Sequence, residues 1–131
     1  MKKEDHINAY NEHRDTLNWA INKGTSKSQR TIGIHASRAI IELFSAYLHE
    51  KSLISIGFQI NHRWFKSDKV SERFPDFELK DLIIKKLIDL ELLAENLIYG
   101  SPKKEDEIKN ILKKFNEIER MLINIIKENE R

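Results

Sequence analysis

Residues 28–53 read SQRTIGIHASRAIIELFSAYLHEKSL. Ile32, Ala36, Ala39, Ile40, Leu43 and Tyr47 recur in steps of three and four, with Phe44 and Leu48 beside them. That period places them on one face of a helix running from about Ser28 to Leu53. Gly33, Ala36, Ala39 and Ala46 are small. Glycine inside a helix costs about 1 kcal/mol relative to alanine, so Gly33 is expected where a neighbouring helix approaches closely. His35, Arg38, Glu42, Ser45 and His49 follow the same spacing and form a polar stripe beside the apolar face. Arg30 and His35 are a less coherent pair. Five residues turn a helix by roughly 140°, so the two diverge unless Arg30 sits in an irregular first turn or two chains contribute.

The neighbouring segments carry the same period. A first helix is expected over about Lys3–Lys23, with Ile7, Tyr10, Leu17 and Ile21 on its inner face and Trp19 and Ala20 widening it. Gly24 closes it, and Thr25, Ser26 and Ser28 offer capping oxygens to the next helix. A third helix is expected from about Phe77 to Tyr99, capped by Asp76 and ended by Gly100. Its leucines and isoleucines cover most of its circumference. That pattern suits a central helix, or one that serves an interface as well as the core. A fourth helix is expected over about Pro102–Glu128, after a Ser101-Pro102 start. Ile108, Ile111, Phe115, Ile118, Leu122 and Ile125 form its seam, widened by Leu112 and Ile126, and the terminal KENER, residues 127–131, is expected to fray. Between the second and third helices, residues 52–77 lack a clean period, apart from a short helix near Ser67–Arg73 capped by Ser67. The fold class is therefore all-α: an up-down four-helix bundle over residues 1–131, a single domain, with a long, partly helical crossover between helices 2 and 3.

At 131 residues the chain is long enough to bury one core without covalent staples. It has no cysteine, which removes disulfides, zinc–thiolate sites and thiol catalysis together. No apolar run approaches a membrane span, and MKKEDHINAYNE lacks the apolar stretch of a signal peptide. The chain reads as a complete cytoplasmic protein with no membrane association. Its net charge of +2 is unevenly spread. Residues 25–74 carry eight Lys/Arg against four Asp/Glu, whereas residues 75–100 carry three against six. A basic middle is a modest footprint for nucleic acid or an acidic partner, or else an ordinary solvated surface.

Three groups of residues bear chemistry. The stripe His35, Arg38, Glu42 and His49 is the candidate catalytic set, because histidine titrates near neutral pH beside an arginine that can hold phosphate. The same stripe also reads as the solvent face, or as a hydrogen-bonded seam against the first helix. NHRWFK, residues 61–66, interleaves basic and aromatic groups, so His62, Arg63, Trp64 and Lys66, with Arg38, form the candidate ligand-binding set. Trp64 and Phe65 read equally as the plug that anchors the crossover. His6 and His13 share one face of the first helix. Neither Glu-x-x-His pairs nor His-Glu-x-x-His occur, so no metal ligand and no cofactor are assigned, and a set of His13, Glu42 and His49 is kept only as a metal-binding alternative. Phosphate loops and dinucleotide fingerprints are absent.

GIHASRAIIELFSAYLHEKSLISIG, residues 33–57, resembles the small-faced helix of HEPN domains, which also ends in a short run to a glycine before an irregular region and two further helices. The resemblance covers most of the chain. It implies an all-helical, commonly dimeric bundle, acting as a ribonuclease or as the partner of a nucleotidyltransferase in toxin–antitoxin and defence systems. Catalytic members carry an arginine, often a polar residue after it, and a histidine four to six residues on. Residues 94–100, AENLIYG, stand in the comparable place. Asn96 matches, but Glu95 replaces the arginine, and Tyr99 and Gly100 stand where the histidine belongs. The resemblance thus implies a degenerate, non-catalytic homodimer that binds a nucleotide, RNA or a protein partner. The alternative is a metal-independent ribonuclease using His35 or His49 with Arg38.

Overall fold

The computed structural model describes residues 1–129. It holds four long helices: α1 (Lys3–Lys23), α2 (Gln29–Glu50), α3 (Lys80–Tyr99) and α4 (Glu105–Asn129). Cross-helix contacts fix their directions. Lys3 meets Glu50 and His13 meets His35, so α1 and α2 are antiparallel. Ser37 meets Glu91 and Phe44 meets Phe77, so α2 and α3 are antiparallel as well. Tyr10 meets Glu119 and Thr25 meets Glu105, which runs α4 against α1. The chain is an up-down-up-down bundle, and the described residues contain no strand.

The hub is α2, not the leucine-rich α3. It packs against all three other helices. Ile32, Ala36, Ala39, Phe44, Ala46 and Leu48 are wholly enclosed, and even Ser37 and Ser45 are buried. Small side chains let three neighbours close on one helix, which bulk would forbid. Meanwhile α3 leaves Leu82 and Leu92 exposed. On α4 the buried seam passes from Leu122 to Ile126, leaving Ile125 only partly covered. A straight helix of 3.6 residues per turn drifts from a seven-residue repeat by ~20° per heptad, so the core meets Ile126 by the end.

Helix ends differ from expectation for local reasons. A 3-10 turn over Ser26–Ser28 precedes α2, and neither Thr25 nor Ser28 caps a helix through its side chain. The far end of α2 stops three residues short of Leu53 because Ser52 takes a left-handed conformation (φ 56), and Leu53 N–H turns back to Leu48 C=O at 2.8 Å. Asp76 does not cap α3. Leu79 adopts φ 62 and starts the helix later, while Asp76 lies 3.6 Å from Lys80 Nζ. Pro102 is not helical, because Gln29 staples this linker. Its amide donates to the carbonyls of Leu97 and Ser101, and its oxygen accepts from Lys103 N–H at 2.7 Å. The KENER stretch stays helical to Asn129, and residues 130–131 lie outside the described residues.

The crossover folds onto α2 and α3. It holds two 3-10 turns, His62–Lys66, which the sequence period did not show, and Asp68–Arg73, capped as expected by Ser67 accepting from Lys69 N–H. Phe65, Val70 and Phe74 are buried. Phe65 and Phe74 place their rings 6.1 and 5.5 Å from Phe44. Phe65 is thus the plug, while Trp64 is partly buried beneath Arg73, whose guanidinium lies 4.3 Å over the ring.

Candidate functional site

A groove runs where α2, α3 and the turn His62–Lys66 meet. Two adjoining cavities form it, about 490 and 290 Å³, and both are lined by Arg38, His62 and Arg63. Trp64, Glu42 and residues 59–61 complete the first, and Lys66, Glu91, Glu95, Ile98 and Tyr99 complete the second. All five residues of the ligand-binding set, Arg38, His62, Arg63, Trp64 and Lys66, therefore line one groove, although Arg38 stands 24 to 28 positions from the others in sequence. Plugging Phe65 into the core is what brings its neighbours to Arg38.

A buried carboxylate organises the groove floor. Glu91 is 5% exposed. It accepts from Ser37 Oγ at 2.5 Å and from His62 Nδ1 at 2.8 Å, and Arg38 Nη1 donates to the same Ser37 oxygen at 3.2 Å. An ionised carboxylate only accepts, so in a bond to ionised Glu91 the His62 Nδ1–H is the donor. The charge balance follows from the partners. Glu91 is bonded to Ser37 and His62, Glu95 to Lys66 at 2.8 Å, and Glu42 to His6 at 2.7 Å. Neither Arg38 nor Arg63 forms an ion pair with a described carboxylate. Two guanidinium groups thus line the groove without a directly paired carboxylate.

Tyr99 and Glu91 are the residues that sequence reasoning missed. Tyr99 is 77% exposed at the groove rim, whereas Trp64 has one face covered by Arg73. Glu91 interrupts the apolar series Ile84, Leu87, Ile88, Ala94, and a charge on the buried side of a helix was the available signal.

The candidate catalytic stripe divides. Arg38 turns to the groove, and Ser45 donates to Ile41 C=O within α2. His35 and His49 face α1 instead: His13 and His35 share Nδ1–Nδ1 at 3.0 Å, and His6 stacks on His49 with centroids 5.2 Å apart, while Glu42 reaches His6 and also lines the groove. His35 and Glu42 form the hydrogen bonds of a seam with α1, whereas His49 joins it by stacking alone and its buried Nε2 has no hydrogen-bond partner. Because Glu42 bonds His6 and His13 bonds His35, the set His13, Glu42 and His49 is not assembled as a metal site, and no cluster of three or more such ligands occurs among the described residues.

Burial holds His13, His35 and His49 below the ordinary imidazole value. Arg38 adds to the effect at His13 and His35, and His6 adds to it at His49; Glu42 and Glu12 oppose it at His13. These groups are neutral in the fold at a pH where the unfolded chain already protonates them, below about 6.5. Stability is therefore fully present above that value and is lost as pH falls through it. Because the groups are partly solvated, we expect a loss of about 1–2 kcal/mol between pH 7.5 and 5.5. Urea unfolding at both values measures it, and His13→Asn with His35→Asn should flatten the dependence. A pH-independent midpoint in the unmodified chain would contradict the assignment.

No described helix is long and apolar enough to cross a membrane. Compared with protein-family models, curated proteins and solved structures, the chain matches none.

Proposed function

We propose that this chain is a HEPN-like, non-catalytic helical bundle that binds single-stranded RNA or a nucleotide through phosphate contacts in the groove. The observation that carries the reading is the pair of guanidinium groups without a carboxylate partner, Arg38 and Arg63, held beside His62 and within reach of the exposed Tyr99 ring. Arginine meets two phosphate oxygens at once, and a free aromatic face stacks any base. Glu95, which stands at the position of the family's arginine, pairs with Lys66 on the groove wall. That supports the degenerate reading. Dimerisation, with the exposed Leu82 and Leu92 of α3 as its contact, and a nucleotidyltransferase partner belong to the same proposal.

Anisotropy of a labelled single-stranded RNA, titrated at low and high salt, tests this. Three phosphate contacts give a slope of log K against log salt near −2, at roughly −0.7 each. Arg38→Ala and Arg63→Ala should each weaken binding about tenfold and lessen the slope by one contact. Glu95→Gln should tighten it a few-fold, by removing a like charge from the wall and releasing Lys66. Absence of binding at low salt, or an Arg38→Ala variant that binds as well as the parent, sinks the proposal.

A second reading rests on the Glu91–His62 pair. A carboxylate that fixes a histidine tautomer prepares Nε2 to take a proton, here from a ribose 2′-hydroxyl as its oxygen attacks phosphorus and the 5′-oxygen leaves. In that case RNA incubated with the chain is cut, and His62→Ala stops the cutting while RNA is still bound. Intact RNA after long incubation discards this reading and leaves the first standing.

A further inference from the structure

The two cavities of the groove differ at their ends and share their middle. Arg38, His62 and Arg63 line both. The larger, about 490 Å³, adds Gln59, Asn61 and Trp64; the smaller, about 290 Å³, adds Lys66, Glu95, Ile98 and Tyr99. Positive charge is therefore concentrated where the cavities join. Beyond the junction it is offset or absent. Glu42 stands in the larger cavity, and Glu91 and Glu95 stand in the smaller, where Lys66 is already bonded to Glu95 at 2.8 Å. Neither end offers a lining cation without a carboxylate partner. A phosphate placed at either end meets like charge, whereas at the junction it meets two guanidinium groups.

The ends suit nucleobases instead. In the smaller cavity the exposed Tyr99 ring is a stacking platform beside Ile98, and Glu95 can accept from an exocyclic amine. In the larger cavity one face of Trp64 is taken by Arg73, so a base there is held chiefly by its edge. Gln59 and Asn61 are exposed carboxamides that can donate to and accept from such an edge. Asn61 Oδ1 accepts from Arg63 N–H at 2.9 Å, which orients that side chain and leaves its amide hydrogens for a ligand. The greater volume at this end takes the larger base. A mononucleotide fills one cavity and leaves the other to water. Two nucleosides joined by a phosphodiester fill both.

Building on the RNA-binding reading of this groove, on which the assignment rests, we propose that the unit recognised is a dinucleotide step of single-stranded RNA. Its linking phosphate lies on Arg38, His62 and Arg63, a purine occupies the larger cavity, and the second base stacks on Tyr99. Charge alone ranks ligands the other way. A terminal phosphate is more negative than a phosphodiester, so a mere basic patch prefers adenosine 5′-monophosphate to any dinucleoside monophosphate.

Calorimetric titration of the full chain at low salt with adenosine 5′-monophosphate and with ApA, ApU, UpA and UpU decides between the two. We expect the tightest dinucleotide to bind at least about tenfold more tightly than the mononucleotide, and UpU to be the weakest of the four. The order of ApU and UpA then gives the strand direction. Tyr99→Ala should weaken dinucleotide binding about tenfold and mononucleotide binding less than about twofold. Gln59→Ala should narrow the gap between UpU and the others. Both side chains are exposed, so neither change disturbs the core. A mononucleotide that binds as tightly as every dinucleotide, UpU equal to ApA, or a Tyr99→Ala variant that weakens all ligands alike would overturn the assignment. In that case an RNA oligomer that binds the parent but not Arg38→Ala leaves the groove reading intact. If neither the oligomer nor any dinucleotide binds, both fall together.

Discussion

Phe44→Ala should lower the unfolding free energy by about 3–5 kcal/mol, the range for a fully enclosed phenylalanine. Phe44 has no exposed surface. Its ring lies 5.5 Å from Phe74, 6.1 Å from Phe65 and 6.2 Å from both Tyr47 and Phe77. Those partners come from the crossover, from the approach to α3 and from α2 itself, so the cavity left behind is bounded by three segments that cannot collapse together. A domain with 5–15 kcal/mol in total loses a large share of its stability. Urea unfolding should show a lower midpoint with an unchanged slope. Phe44→Leu keeps most of the volume and should cost less than about 1.5 kcal/mol. The deletion should also loosen the turn His62–Lys66, because Phe65 loses its seat, and faster amide exchange there would report it. A loss below about 1 kcal/mol for Phe44→Ala would show that the aromatic cluster does not anchor the crossover.

That cluster also explains which parts of the molecule were legible beforehand. Helices announce themselves through a period that their own side chains create, so all four could be read from spacing. Packing rank is different. Counting apolar residues favoured α3, yet α2 became the hub because Ala36, Ala39, Ala46, Ser37 and Ser45 allow close approach on several sides. Hydrophobicity scales score bulk, whereas close packing rewards its absence. Helix ends failed wherever a distant side chain or an unusual backbone angle set them. Gln29 bonds a linker more than 70 residues away in sequence, and Leu79 is left-handed without being glycine or asparagine.

The groove was half legible. Arg38 and the NHRWFK stretch could be named from chemistry, but their meeting depends on Phe65 entering the core, and no local pattern encodes it. The histidine seam had a readable signature. His6 and His13 are seven apart on α1, while His35, Glu42 and His49 are seven apart on α2. Two polar series of equal spacing on adjacent antiparallel helices can mate along their length, and here they do, through His6–Glu42 and His13–His35. Arg38 shares their helix but lies off that line, which is why its side chain reaches the groove instead.

Gly33→Ala is the sharper test of the packing argument, because two effects oppose each other in it. Helix propensity alone predicts a gain of about 1 kcal/mol. The surroundings predict a loss. A methyl group at Gly33 would stand 2.9 Å from the backbone oxygen of Ala94 and 3.0 Å from both Ile98 Cγ1 and Leu97 Cβ. The oxygen belongs to the interior of α3 and cannot yield unless the helix moves. Overpacking of this kind costs about 1–3 kcal/mol, so Gly33→Ala should be destabilising on balance and Gly33→Val more so, by roughly 3 kcal/mol. Gly57 is the internal comparison, with nothing within 4 Å of the same added carbon. Gly57→Ala should be neutral or stabilising by up to about 1 kcal/mol through the unfolded chain. Thermal melts of the three variants give the answer. If Gly33→Ala melts higher than the parent, α2 and α3 are not in the close contact that makes α2 the hub, and the groove that depends on their spacing must be redrawn.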